Sequence, residues 1–173
     1  MRYFLGLGSN LGNRRLHLSR ALESLERANV KVLRSSSLYR TQPVGYSAQP
    51  WFYNQVVEVR ADMEPADLLA LIKKVESEMG RRPAPKNRPR IIDIDILLAE
   101  DRVVTTKPLT IPHPRLAERN FVLVPLLEIA PAAVHPLLDG AISELYKRSR
   151  DKARVIRIPK RSRRSSSKES QHS

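Results

Sequence analysis

Residues 89–98, Pro89-Arg90-Ile91-Ile92-Asp93-Ile94-Asp95-Ile96-Leu97-Leu98, constrain this chain more than any other stretch, because two carboxylates alternate with β-branched apolar residues. Alternation of this kind defines a strand. Asp93 and Asp95 fall on one face, about 7 Å apart, while Ile92, Ile94 and Ile96 point to the other. Taken alone, a D-x-D pair is as readily the solvated face of an amphipathic strand. As a site, it is a two-point clamp for hard cations such as Mg²⁺, whose shell is completed by water and substrate phosphates. The neighbouring residues decide between the two.

The length of 173 residues fits one domain with a proper core. Zero cysteines exclude disulfides, a thiolate zinc site and a cysteine nucleophile. The first residues, Met1-Arg2-Tyr3-Phe4-Leu5-Gly6, lack the pattern of a signal peptide, and no later run is apolar enough to span a bilayer. The expectation is a soluble, cytoplasmic protein without membrane contact. The net charge of +13 points toward nucleic acid, but its distribution weakens that reading. From Lys147 onward eleven Lys and Arg face two acids, so +9 sits at the C-terminal end and 13 − 9 = +4 is spread over the other 146 residues. Residues 159–173 read as a basic, disordered tail with incidental polyanion affinity, and residues 1–158 as the domain.

Strand and helix patterns alternate along the domain. Arg2 to Leu7 is a short apolar run ending in a glycine-rich turn, and Leu18, Ala21, Leu22, Leu25 and Ala28 predict an amphipathic helix from Arg14 to Ala28. Val30 to Tyr39 and Phe52 to Ala61 predict two more strands, separated by a turn-rich stretch, Thr41 to Pro50, long enough to bind a ligand. Pro65 opens a second helix with Leu68, Ile72, Val75 and Met79 on one face, and Gly80 closes it. After the Asp93 strand, a hairpin partner is expected around Arg102 to Thr105. Phe121 to Leu127 is a further apolar run, and Ile142 to Arg148 a short last helix.

Between the second helix and the Asp93 strand lies Arg81-Arg82-Pro83-Ala84-Pro85-Lys86-Asn87-Arg88-Pro89-Arg90, a basic segment with three prolines and no apolar periodicity. It places forked cations directly before a metal clamp, which is the equipment for holding a polyphosphate. Glycine cradles are missing: Gly6, Gly8 and Gly12 do not fit G-x-G-x-x-G, and no G-x-x-x-x-G-K-[ST] occurs. Phosphoryl chemistry here would rest on arginines and metal, with positioning in place of a dedicated base.

With these pieces in order, the chain resembles the 6-hydroxymethyl-7,8-dihydropterin pyrophosphokinases of folate biosynthesis up to about residue 148. The resemblance is carried by Gly6-Leu7-Gly8-Ser9-Asn10-Leu11-Gly12, Ser37 to Gly45, Phe52-Tyr53-Asn54, Glu76 with Gly80-Arg81, Pro89 to Asp95, Ile111-Pro112-His113-Pro114, Arg119 and Phe121 to Leu126. It implies an ATP-dependent diphosphokinase that moves pyrophosphate from ATP to the pterin hydroxymethyl group and releases AMP. It further implies that Asp93 and Asp95 hold two Mg²⁺ ions, and that Arg81, Arg82, Arg90 and Asp95 form the catalytic set. The nucleotide would meet Lys73, Glu76, Arg81, Arg90, Ile96, Thr110, His113 and Arg119. The pterin would stack between Phe52 and Phe121, with Asn54 and the loop residues Thr41, Gln42 and Val44 at its polar edge.

The fold implied is α+β, a three-layer α-β-α sandwich with a ferredoxin-like core and a mostly antiparallel sheet. The order strand, helix, strand, strand, helix, strand supports this independently. RNA-recognition modules share that order, so the alternative is a basic, non-catalytic RNA-binding module. It lacks the exposed stacking aromatics such a module requires. The expected partners are therefore the small molecules ATP and hydroxymethyl dihydropterin, acting on a monomer.

Overall fold

The computed structural model describes residues 1–45 and 48–161. Along them run β1 (Arg2–Ser9), α1 (Arg14–Arg27), β2 (Lys31–Ser35), β3 (Tyr39–Thr41), β4 (Phe52–Arg60), α2 (Pro65–Glu78), β5 (Asp93–Ala99), β6 (Val104–Thr105), β7 (Thr110–Ile111), a 3-10 turn at Leu116–Glu118, α3 (Asn120–Ile129), α4 (Ile142–Arg148) and β8 (Val155–Arg157). The main sheet has the order β5-β1-β4-β3-β8, with β2 also paired to β4, and its described pairings are antiparallel. It is the expected α+β arrangement.

Strand alternation sorts the side chains into two cores. Tyr3, Leu5 and Leu7 of β1 and Ile94 and Ile96 of β5 pack with Leu18, Leu25, Leu68 and Ile72 beneath α1 and α2. Val56, Leu97 and Leu98 pack on the opposite face under α3 and α4, with Leu123, Leu126 and Ile142. Burying each of these large side chains stabilises the fold by about 1.5–3 kcal/mol. Leu97 is the extra residue between the pairs Leu5↔Ile96 and Phe4↔Leu98, so this bulge turns two successive leucines toward α3. Asp93 and Asp95 share the face of Leu97 and Val56 but are not part of that cluster.

Helix boundaries follow local chemistry. Asn13 Oδ1 accepts the Leu16 N–H at 3.1 Å and caps α1. Pro65 starts α2, where no N–H is needed, and Gly80 at φ 90 ends it.

Two expectations are corrected. The single strand Val30 to Tyr39 is two strands, β2 and β3, since Ser36 to Leu38 hold one residue more than the opposing stretch of β4. There the Ser36 hydroxyl oxygen accepts the Val56 N–H at 3.0 Å in place of regular pairing. The hairpin at 102–105 does not pair with β5; Val104 and Thr105 pair with Ile111 and Thr110. Within the expected domain, the end of residues 1–158 also holds a strand that the sequence patterns do not signal, β8, added to the free edge of β3. The reading of residues 162–173 as tail lies outside the described residues.

Candidate active site

Two cross-strand rows form the floor of the site. Asp93, Gly8 and Asn54 are paired across β5, β1 and β4, and Asp95, Gly6 and Val56 form the adjacent row. Directly opposed residues share a face, so the two glycines leave an open strip between the carboxylates and the amide. A side chain at Gly8 has no room: its Cβ would lie 2.6 Å from Asn54 Oδ1 and 3.4 Å from the Phe52 ring. Above this floor is a cavity of about 470 Å³.

One end of the cavity is built from charge. Asp93 sits between Arg81 at 3.2 Å and Arg90 at 3.1 Å. Arg81 is in turn held at 2.7 Å by Glu76, which is only 2% exposed. The same Glu76 carboxylate accepts the Ile94 backbone N–H at 3.0 Å and pairs with Lys73 at 3.2 Å, so one buried anion ties α2, the basic loop and β5 together. Asp95 is pushed up to about 7, first by burial and then by Asp93 and Glu76, against the opposing pull of Lys73 and Arg119. A carboxylate so disfavoured as an anion is poised to gain from a cation.

Among the described residues no group of three or more His, Cys, Asp or Glu side chains is placed to hold a metal ion. Two carboxylates on an open face fit a hard cation that keeps water and phosphate ligands, rather than a closed protein cage. His113 is fixed above them: its N–H donates to Leu97 O at 2.9 Å, and its Nδ1 accepts the Arg115 N–H at 3.2 Å. Burial, then Arg119 and Arg115, lower its pKa against the pull of Asp93, so the neutral ring carries its proton on Nε2.

The other end is aromatic and amide. Phe52, Asn54 and Phe121 line it with Thr41, Gln42 and Val44. Asn54 Nδ2 donates to Thr41 Oγ1 at 2.6 Å, which leaves its Oδ1 facing the strip over Gly8. Arg119 lies between the two ends, its guanidinium 5.5 Å from the centre of the Phe121 ring.

Most residues implied by the resemblance therefore meet in one cavity: Arg81, Arg90, Lys73, Asp93, Asp95, His113 and Arg119 with the six at the aromatic end. Four do not line it. Arg82 and Thr110 are exposed, Ile96 belongs to the core under α1 and α2, and Glu76 lies beneath Arg81 as a support. Reading the sequence also missed contributors. Gly6 and Gly8 fit no nucleotide fingerprint and mark the family resemblance, and glycines two apart on a strand also mark a cleared face. Asn10 has no role predicted from the sequence; buried, it accepts the Arg90 N–H at 2.8 Å and donates to Gln49 Oε1 at 2.9 Å. Gln49 reaches Asn87 O at 2.7 Å, so Asn10 and Gln49 together secure the basic loop.

Arginines and paired carboxylates at one end, with an aromatic and amide slot at the other, define a class: transferases of phosphorus-containing groups. Comparison with known proteins narrows it. Residues 4–131 match the family model described as 7,8-dihydro-6-hydroxymethylpterin-pyrophosphokinase, and the chain belongs to that family. The 2-amino-4-hydroxy-6-hydroxymethyldihydropteridine pyrophosphokinase of Aquifex aeolicus is 43% identical over 141 residues, 82% of this chain and 88% of that one. The folic acid synthesis protein fol1 of Pneumocystis carinii is 39% identical over 84% of this chain, which spans only 20% of that longer protein. The HPPK-DHPS protein of Plasmodium falciparum superposes with a TM-score of 0.68 at 19% identity, covering 85% of this chain and 45% of its own, which is a likeness of fold.

Proposed function

We propose that this chain transfers pyrophosphate from ATP to the hydroxymethyl group of 6-hydroxymethyl-7,8-dihydropterin, giving AMP and the pterin pyrophosphate for folate biosynthesis. The observation that carries this reading is the single floor on which Asp93 faces Asn54 across Gly8, with Asp95 and Gly6 in the adjacent row. A triphosphate at the charged end and a flat heterocycle at the other thus approach one another over a cleared surface.

The pterin ring stacks between Phe52 and Phe121 and hydrogen-bonds through Asn54 and the Thr41 to Val44 loop, a pairing of stack and amide that suits a heterocycle rich in donors and acceptors. Arg81, Arg90 and Lys73 bind phosphates, which compete with Asp93 and Glu76 for the same cations. Arg119 and the Nε2–H of His113 reach the nucleotide. Two Mg²⁺ ions, held by Asp93 and Asp95, would supply charge neutralisation and orientation at the phosphates. The pterin hydroxyl oxygen then bonds to the β-phosphorus as the bridge to the α-phosphate breaks, and guanidiniums meet the developing charge. Asn10 and Gln49 keep the basic loop over the site, which excludes water.

On this proposal the protein is a cytoplasmic monomer. Among the described residues no helix is long and apolar enough to cross a membrane. The test is incubation with ATP, Mg²⁺ and the hydroxymethyl dihydropterin, followed by identification of the nucleotide product. Pterin-dependent AMP is expected; ADP, or no pterin-dependent turnover by folded protein, overturns the assignment.

A further inference from the structure

The segment after α4 does more than finish the fold. At its start, Asp151 Oδ2 accepts the Asn120 N–H at 2.8 Å, and Asp151 O accepts Asn120 Nδ2 at 3.0 Å. Asn120 opens α3 between Arg119 and Phe121, and α3 has no cap from its own preceding side chain. The anion at this helix N-terminus is therefore supplied from 31 residues away. Three residues on, Arg154 holds Gln42 twice: its N–H donates to Gln42 Oε1 at 2.6 Å, and its carbonyl accepts the Gln42 N–H at 3.2 Å. The Arg154 guanidinium also lies 5.8 Å from the ring centre of Trp51, next to Phe52.

β8 then pairs with β3 from Thr41↔Val155 to Tyr39↔Arg157. Arg157 Nε donates to Ser37 Oγ at 3.0 Å, and Ser37 Oγ donates to Glu128 near the far end of α3 at 2.7 Å. The segment 151–157 is thus bonded at one end to the helix carrying Phe121, along its middle to the strand and loop carrying Thr41 and Gln42, and at its far end, through Ser37, back toward α3. Lys73, Arg81, Arg90, Asp93 and Asp95 of the charged end, by contrast, are carried by α2, the basic loop and β5, which these bonds do not touch. The residues matched by the family model end at 131, short of this whole segment.

We infer that residues 151–157 are a strap that sets the spacing between the two walls of the pterin slot, with Asp151 and Arg154 as positioning residues for the acceptor substrate. This rests on the proposed function for the identity of the ligand, but not for the mechanical claim. Gln42 and Phe121 are on different elements, and the strap is bonded to Gln42 itself and to Asn120, the residue before Phe121. Loss of either end therefore loosens both walls.

Two variants test it, one at each anchor. Asp151→Ala removes the acceptor for Asn120, and Arg154→Pro removes the N–H that reaches Gln42 Oε1. Each is expected to raise KM for the pterin by up to roughly tenfold, the scale of one lost hydrogen bond, with kcat and KM for ATP within about threefold of the parent. Amide hydrogen exchange of the substrate-free protein is the second readout. In Asp151→Ala, exchange should quicken at Gln42 as well as at Asn120, and in Arg154→Pro at Asn120 as well as at Gln42. Exchange that quickens only at the mutated anchor overturns the strap, as does an unchanged pterin KM in both variants or an equal rise in both KM values. If the parent protein shows no pterin-dependent turnover, the functional reading falls, and the exchange pattern still decides the strap.

Discussion

The two ends of the cavity are built by different means. The charged end is local and redundant: Arg81, Arg90, Asp93 and Asp95 lie within fifteen residues of one another, on a loop and a strand fixed by the buried Glu76. The aromatic end gathers Thr41, Phe52, Asn54 and Phe121 from three distant segments, and hydrogen bonds between segments, such as Asn54 to Thr41, hold it. Charge therefore concentrates where chemistry would occur, and shape where selection would occur. If this division is right, damage at the first end strikes kcat, and damage at the second strikes KM for the acceptor.

The largest break in that comparison is Asp95→Asn. Removing one carboxylate of the pair takes away half the cation clamp at the reacting phosphates, so turnover should fall at least about a thousandfold while the fold persists. Near-normal kcat would refute the role given to this face. Next in size is Arg90→Ala, which deletes a phosphate ligand and one of the two cations on Asp93. Its backbone contact with Asn10 is retained, so the loop keeps its place. A fall in kcat of roughly a hundredfold, with a smaller change in pterin KM, is expected from steady-state kinetics. A pure pterin KM effect would mean that the two ends are not separable.

How much of this was legible in the sequence follows the same division. The charged end could be read from residues alone, because D-x-D on a strand and a basic proline-rich loop before it are local patterns. The aromatic end entered only through resemblance, since Phe52, Asn54 and Phe121 are each ordinary core or strand-end residues until the sheet registers them. Glu76 shows the limit most clearly. On an amphipathic helix beside Lys73 it reads as a solvent-facing residue, and only the approach of Arg81 and the Ile94 N–H buries it. Likewise Val155 and Ile156 are two apolar residues in a basic stretch, too few to signal a strand. β8 exists because β3 offers an open edge, a partner that no local pattern encodes.

A smaller effect should mark the aromatic end. Asn54→Ala removes an amide that faces the cavity and partners Thr41, so pterin KM should rise about tenfold with kcat changed by less than about threefold. The reverse split would place Asn54 in the chemistry and erase the contrast. Retention of the parent KM would remove the amide from acceptor recognition.

The smallest expected effect concerns stability, and it probes the charged end without any substrate. Asp95 is held at about 7 in the fold against 3.8 for an ordinary aspartate, with burial as the first cause. Between roughly pH 4 and 7 the folded chain binds the proton that the unfolded chain releases, so this group makes stability fall as pH rises through that window and adds no further change above it. Asparagine at 95 carries no such penalty. Metal-free Asp95→Asn should therefore match the parent near pH 4 and unfold higher by on the order of 5 °C at pH 8. Mg²⁺ with nucleotide should narrow that gap by stabilising only the parent's carboxylate. Thermal unfolding from pH 4 to 8 decides it: a variant less stable than the parent at pH 8 would mean that Asp95 is already satisfied as an anion by Lys73 and Arg119, and that the charged end holds no unmet demand for a cation.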